Sequence, residues 1–456
     1  MPSNHLNLSN LTANSLALIQ PRQKKKVLVW SDCVMATTGF GTVSKHILSA
    51  LYKTGQYEID HLAINHFNDF YDKNKVPYMI VPARLGDPRD PFGSKMFINA
   101  LQKKDYDIIF IINDTFVVEA VARSIQEIRD IKAQKNRKPF SLVYYYPVDC
   151  RLLPEVSTMV RIADRSVAYT QFAKRSSIKA GITPTDVIYH GTDINSFRPI
   201  PSQVRRACRE KYIGLTSDDV FVFTNVNRNS MRKDIARSIL AFSEFRKRVT
   251  ENCRMYIHAK VIDGTSSGLE VDLRIPLSEL NLDPTKDIIF PNRFIPAKGF
   301  EVPVLNQLYN CADAYITTNL GEGFGLTITE AMACGVPVIA PNHTSAPEIL
   351  GTDLPPDEVR GYPVECKELI YVDNSGYRPL VHMEDLLNQM KLAYEDWLAF
   401  RRGDSSNRRR QTIINNAQAF VKKYSWENVC KDWIKLFGEL KPSTALPKNS
   451  LDGEAV

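Results

Sequence analysis

Strand-length apolar runs alternate with helical stretches along this chain, and the alternation occurs in two series. KKKVLVWSD (Lys24 to Asp32) reads as a buried strand ending in polar residues, MATTGFGT as a small-residue loop, and VSKHILSALYKTG as a helix that stops at Gly55. YDIIFIIND with a helical stretch from Phe116, then FSLVYYYPVD, RSVAYTQFAKRSSIKAG and TDVIYHGTD continue the first series. SFRPIPSQVRR (Ser196 to Arg206) carries prolines and reads as a linker. VFVFTNVNRN, DIARSILAFSEFRKRV, CRMYIHAK, KDIIFPN, LNQLYNCA, AYITTN, LTITEAMACG and VPVIAP form the second series. Such alternation means parallel sheets with helical crossovers, and two series mean two doubly wound α/β domains. Ligands of such sheets bind at the carboxyl ends of the strands, and here also between the domains.

A length of 456 residues suits two domains of about 200 residues each. The longest apolar runs, such as Ile108 to Ile112, fall far short of the ~18 residues of a membrane helix. The polar N-terminus lacks the basic start and apolar core of a signal peptide, so the Asn-X-Ser/Thr matches at Asn7 and Asn10 read as accidental. The eight cysteines form no CxxC pair, which predicts free thiols in a reducing compartment and no zinc site. A net charge of +7 fits an anionic partner: a nucleotide, a lipid headgroup surface or a nucleic acid.

The chemistry-bearing stretch is GEGFGLTITEAMACGVPV, Gly321 to Val338, at the carboxyl end of the AYITTN strand. Thr327 and Glu330 match a capping box, which would start the helix near Thr327, and Gly335 suits its C-terminus. That leaves Glu322 unexplained, together with Gly323 and Gly325, which open the backbone to close approach. A helix N-terminus favours a phosphate, and glutamates beside it would bind hydroxyls. Hydroxyls plus phosphate describe a nucleotide sugar. Arg228 and Lys233, in NVNRNSMRKD, would supply the paired cations that a diphosphate needs. Asp149 and Asp193 each follow a strand at the ligand edge. Asp105-Tyr106-Asp107 is a literal DxD, but it precedes its strand, and no metal is assigned to it.

EGFGLTITEAMACGVPVIA resembles the E-x7-E segment of glycosyltransferase family 4, whose members have the two-domain GT-B fold. NRNSMRKD is similar to the Arg…Lys element of that family, without the usual glycines, and VIYHGTDINSFRP to its domain junction. The resemblance spans roughly residues 25 to 437. It implies a first, acceptor domain over 25–198, a donor domain over 199–415 and a C-terminal helix over 416–437 that packs back on the first domain. Flexible tails are expected at 1–24 and 438–456. The resemblance also implies that Glu322 holds donor-sugar hydroxyls and Glu330 the ribose. Gly323, Phe324, Gly325, Leu326 and Thr327 would present backbone to sugar and diphosphate. Arg228 and Lys233 would neutralise the leaving group, and Gly39 and Gly41 would line the cleft from the other domain.

Two departures from the family pattern stand out. Asp149 occupies the region where many members carry a histidine, and Ser345-Ala346 replaces the usual Gly-Gly. The implied reaction is retaining and metal-independent, without a cofactor. Its donor is a nucleotide-diphosphate sugar, UDP-linked in preference to GDP- or ADP-linked. Asp149 joins Glu322, Arg228 and Lys233 as the catalytic set. Tyr145, Asp149, Arg151 and His190 are the acceptor-side candidates, for a glycan or a hydroxymethylated base in DNA. The expected setting is the cytoplasm, the host's if the protein is viral, with at most peripheral membrane contact. A weak nucleotide-sugar binder and a GT-B epimerase are the alternatives.

Overall fold

A computed structural model of the chain describes residues 23–67, 70–84, 89–264, 270–291, 300–373 and 376–441. Asn7, Asn10, most of the expected N-terminal tail and residues 442–456 lie outside them.

The first half runs β1 (Lys25–Asp32), α1 (Gly39–Lys53), β2 (Tyr57–Ile64), β3 (Met79–Pro82), α2 (Ser94–Lys103), β4 (Ile108–Ile112), α3 (Thr115–Gln134), β5 (Ser141–Tyr146), α4 (Thr158–Ile162), β6 (Arg165–Ala168), α5 (Gln171–Lys179) and β7 (Asp186–Val187). Its strands form one parallel sheet in the order β3-β2-β1-β4-β5-β6-β7. Helices cover both faces, so both sides of the central strands β1, β4 and β5 are buried. In β1, Val27 and Val29 enter one core while Leu28 and Trp30 enter the other. That is why the strand reads as a continuous apolar run and not as an alternation.

The second half runs α6 (Ser202–Ile213), β8 (Phe221–Val226), α7 (Ile235–Arg248), β9 (Cys253–His258), β10 (Ile262–Gly264), β11 (Glu270–Asp272), α8 (Arg274–Glu279), β12 (Ile288–Ile289), α9 (Val302–Cys311), β13 (Ala314–Ile316), α10 (Leu326–Ala333), β14 (Val338–Pro341), α11 (Ala346–Leu350) and β15 (Tyr362–Val364). It then adds β16 (Cys366–Asp373), β17 (Gly376–Val381), α12 (Met383–Arg401), α13 (Arg409–Lys423) and α14 (Trp426–Glu439). The second parallel sheet has the order β12-β9-β8-β13-β14-β15. In each sheet the order reverses at one place: beside β1 in the first and beside β8 in the second. The carboxyl ends there form the crevices where doubly wound sheets take ligands.

Three local expectations are corrected. The stretch read as a linker becomes helix from Ser202, because Cys208, Arg209 and Ile213 share a buried face and Arg205 pairs with Asp313 at 2.8 Å. The glycines of MATTGFGT are not in a loop. Thr38 caps α1 through Gly41 N, so Gly39 and Gly41 form the first helical turn. The helix expected across Phe420 to Phe437 is two helices, because Ser425 caps a new one at Asn428 N and the adjoining backbone bonds to Thr192. The second of these, α14, lies on the first sheet, with the Trp433 ring tilted against Phe110 at 5.2 Å and Phe437 edge-on to Tyr57 at 5.7 Å. It continues to Glu439 and buries Leu440, beyond the expected end at 437. None of the eight cysteines is in a disulfide, and no helix among the described residues is long and apolar enough to cross a membrane.

Candidate active site

The first half brings three carboxylates to the crevice edge. Asp32 ends β1 and accepts from Thr38 Oγ1 at 2.5 Å and Asn65 Nδ2 at 3.2 Å. Burial pushes its pKa up, and those two hydrogen bonds only partly oppose it. Asp114 follows β4 and starts α3. Burial, with the charges of Asp149 and Asp32 adding to it and Arg232 opposing, pushes Asp114 up to about 7. Asp149 follows β5. Asp105 and Asp107 sit at the opposite edge, where Asp105 pairs with Lys132 and Arg137 and Asp107 with Lys138, so the DxD is a structural ion-pair cluster.

The second half supplies the cations. After β8 the chain makes a short turn, Met231–Lys233, held by a left-handed Asp234 with φ 42°. The turn aims Lys233 and Arg232 into the cleft. Lys233 pairs with Glu322, and Arg232 Nη1 lies 3.4 Å from the same carboxylate. Asn319 Nδ2 donates to Glu322 at 3.1 Å, and Glu322 N donates to Thr344 Oγ1 at 3.1 Å. Burial alone would raise Glu322, but Lys233 and Arg232 outweigh it and hold the carboxyl below its ordinary range. Arg232 also bridges the cleft, its Nε 3.2 Å from Asp149 Oδ2. Arg228 stands apart: its side chain is 64% exposed and pairs with Asp263 at 3.3 Å.

The loop around Glu322 is shaped by close approach to the first half. A Cβ on Gly323 would lie 2.8 Å from Pro147, and Gly325 has φ 102°. Phe324 is buried against the His190 ring at 4.8 Å, so its side chain anchors the loop, and Ser345 Oγ donates to the Phe324 carbonyl at 2.7 Å. Ser345 thus ties down a loop where two glycines were expected. A Cβ on Gly39 would touch Leu326 at 3.8 Å, which puts Gly39 across the cleft from Leu326. A Cβ on Gly41 would clash with Ala36 O at 2.5 Å, so Gly41 serves its own turn.

The capping box is corrected. Gly325, not Thr327, precedes the first turn of α10. Thr327 Oγ1 meets Tyr315 Oη at 2.9 Å, and Glu330 accepts from Tyr309 Oη at 2.8 Å. Burial pushes Glu330 up to about 7.

On the acceptor side, Tyr145 and His190 are corrected. Both are buried, Tyr145 Oη lies 2.7 Å from Ile188 O and from His190 Nδ1, and burial lowers His190 to about 3. They are core groups behind the loop. Tyr144 is buried as well and donates to Asn113 O at 3.1 Å. Arg151 is exposed, beside Gly376. Two cleft groups escaped the sequence reading. Arg232 adjoins Lys233, and Asp114 follows a strand as Asp149 does.

A model of the family described as "Glycosyl transferases group 1" matches residues 230–368, a span that holds Arg232, Lys233, Glu322 and Glu330. O-antigen chain mannosyltransferase B of Escherichia coli is 51% identical over 47 residues, 10% of this chain and 12% of that protein. A GDP-mannose-dependent alpha-(1-6)-phosphatidylinositol monomannoside mannosyltransferase of Mycolicibacterium smegmatis is 30% identical over 225 residues. That alignment covers 46% of this chain and 54% of the relative, so the chain spans about half the length of this relative and less of the first. Among solved structures, Anabaena Alr3699/HepE in complex with UDP and glucose superposes with TM-score 0.61 at 18% identity, over 91% of this chain and 100% of that one. Sucrose-phosphate synthase from Thermosynechococcus elongatus gives TM-score 0.64 at 16% identity, over 91% and 99%. The fold is GT-B.

Proposed function

We propose that this chain is a retaining glycosyltransferase that moves a sugar from a nucleotide-diphosphate sugar to an acceptor hydroxyl. The observation that carries the reading is the cluster in the cleft: Glu322 against Lys233 and Arg232, with Asp149 of the other half on Arg232. The carboxylate suited to sugar hydroxyls lies against the cations suited to a diphosphate. A donor exchanges these partners. Its diphosphate takes Lys233 and Arg232, its sugar hydroxyls take Glu322, and its ribose takes Glu330. The exposed Arg228 lies further out, where it can swing to the phosphates.

In the reaction the bond from the anomeric carbon to the phosphate oxygen breaks, and its electron pair leaves on the diphosphate. The acceptor oxygen forms the new bond on the same face, and the departing phosphate oxygen takes its proton. Lys233 and Arg232 stabilise the charge that develops on the leaving group, in a buried site where such stabilisation is strong. This reading assigns that work to side-chain cations and needs no metal ion. Asp149 lies beside the acceptor path and helps stabilise the positive charge that develops on the sugar.

The acceptor is a neutral, hydroxyl-rich molecule such as a glycan. Asp32, Asp114 and Asp149 line the carboxyl ends of β1, β4 and β5, where they offer hydrogen-bond partners to acceptor hydroxyls. We place the reaction in the cytoplasm. UDP-glucose is the first donor to try, after the ligands in the Anabaena structure, and GDP-mannose the second, after the mycobacterial relative.

A thermal-shift series with UDP-glucose, GDP-mannose and ADP-glucose should raise Tm for one donor, and that donor should be slowly hydrolysed without acceptor. Binding without hydrolysis or transfer would instead support the weak-binder reading. Transfer to hydroxymethylated DNA, with salt-sensitive DNA binding, would overturn the acceptor assignment.

A further inference from the structure

Between β15 and α12 the donor half carries a two-stranded ribbon, β16 paired with β17, outside its main sheet. A lone ribbon of two strands is marginal by itself. Its outer face leaves Leu369 at 65%, Tyr371 at 63% and Tyr377 at 65% exposure, so burial of that face does not hold it. At its base Val381 and Cys366 join the core of their own half, and further out the ribbon reaches across the cleft. Arg378 alternates with Tyr377 and points the other way, and its side chain is 3% exposed. Arg378 Nη1 donates to the Asp149 carbonyl at 3.0 Å, and Nη1 and Nη2 lie 3.4 Å from Asp149 Oδ1. Cys150 Sγ donates to Tyr377 O at 3.5 Å. A Cβ on Gly321, which has φ 153°, would lie 1.8 Å from the Asp149 carbonyl, so bare backbone of the donor half presses on the same residue. The other carboxylate oxygen faces Arg232 at 3.2 Å.

Asp149 is thus gripped by two guanidinium groups, both from the opposite half. We propose that Arg378 is the positioning residue for Asp149, fixing its carbonyl and carboxylate at the cleft so that Asp149 is in place only while the halves are together. The inference rests on the reading of this cleft as the transfer site. The ribbon then has a purpose: it carries one arginine from the donor half to the acceptor side.

The test compares Arg378→Ala and Arg378→Lys with the unaltered protein. It measures hydrolysis of UDP-glucose and of GDP-mannose, UDP and GDP affinity by calorimetry, and alkylation of Cys150 by iodoacetamide, mapped by mass spectrometry. Arg378→Ala should lower turnover by about 10- to 100-fold, as small misplacements of reacting groups do. Nucleotide affinity should stay within about threefold, since the phosphate contacts lie elsewhere. Cys150 should react about fivefold faster or more as the loop is released. Arg378→Lys should recover part of both effects. Unchanged turnover or an unchanged Cys150 rate in Arg378→Ala would overturn the proposal. An unaltered protein that hydrolyses neither donor would sink the transfer reading itself. The Cys150 rates would then still decide the grip: faster in the alanine variant upholds it, equal rates refute it.

Discussion

At the scale of single residues, the cleft ranks its cations by geometry. Lys233 and Arg232 touch Glu322, whereas Arg228 is largely exposed on Asp263. Lys233→Ala and Arg232→Ala should each lower turnover by about 10²–10³-fold, the usual loss of one charge-stabilising donor. Nucleotide affinity should fall less, because the interaction strengthens as the leaving group gains charge. Arg228→Ala should cost less turnover than either. Steady-state rates beside calorimetry check this ranking, and equal losses in all three variants would contradict it. Asp114 gives a prediction with a definite sign. Burial and two neighbouring carboxylates hold its folded pKa at about 7, well above its ordinary value. Between the ordinary value and about 7 the native state therefore binds the extra proton, so this residue's contribution to stability falls as pH rises through that window and stays at its lowest, unchanging, above about 7. Asp114→Asn carries no such charge. Its melting temperature should exceed that of the unaltered protein by more at about pH 8.5 than at about pH 5.5, as melting curves at the two pH values would show.

At the scale of elements, what the sequence makes legible is what repeats locally. Strands with both faces buried read as unbroken apolar runs, as IIFII does, and the E-G-F-G stretch is dense enough in special residues to mark a ligand loop. The exact turn was harder. Arg228 and Lys233 look equivalent in NRNSMRKD, but the short turn at Met231–Lys233 rotates Arg232 and Lys233 inward and leaves Arg228 out. Tyr145 and His190 were misplaced because a strand end looks the same in sequence whether its side chains meet solvent or an opposing helix. Here α14 closes over them, with Trp433 4.7 Å from the Tyr145 ring. Arg378 and Asp149 are 229 residues apart, and no local pattern links them. The docking of α14 has its own glycine. A Cβ on Gly191 would lie 2.5 Å from the Trp426 ring. Gly191→Ala must push the start of α14 off the first half and should destabilise by about 1–3 kcal/mol, the usual cost of overpacking. Chemical denaturation would check it, and a loss below about 0.5 kcal/mol would show that the junction yields freely.

At the scale of the whole molecule, the two halves are joined at the front and at the back of the cleft. The front contact is ionic: Asp149 with Arg232 and Arg378. The back contact is a borrowed helix cap. Glu348, on α11 of the second half, accepts from Gln171 N at 2.9 Å and from Phe172 N at the start of α5 in the first half. It also accepts from Tyr189 Oη and lies 3.4 Å from Arg175. A carboxylate at a helix N-terminus satisfies otherwise unpaired amides and meets the positive end of the helix dipole. This one belongs to the opposite half, so the Gln171 and Phe172 amides keep this partner only while the halves are closed, whereas Thr170 of the first half caps Ala173 N. On the proposed function, a donor phosphate that took Arg232 from Asp149 would leave Arg378 as the remaining ionic contact at the front and increase the share of the joint borne by Glu348. Glu348→Ala should therefore speed hydrogen exchange at the Gln171 and Phe172 amides by about tenfold for each 1.4 kcal/mol of lost protection. Ligand-free protein should also expand in small-angle X-ray scattering, and UDP should partly reverse the expansion by bridging the cleft. Faster exchange confined to those two amides, with no change in the radius of gyration, would limit Glu348 to a local cap. Unchanged exchange would remove it from the joint altogether.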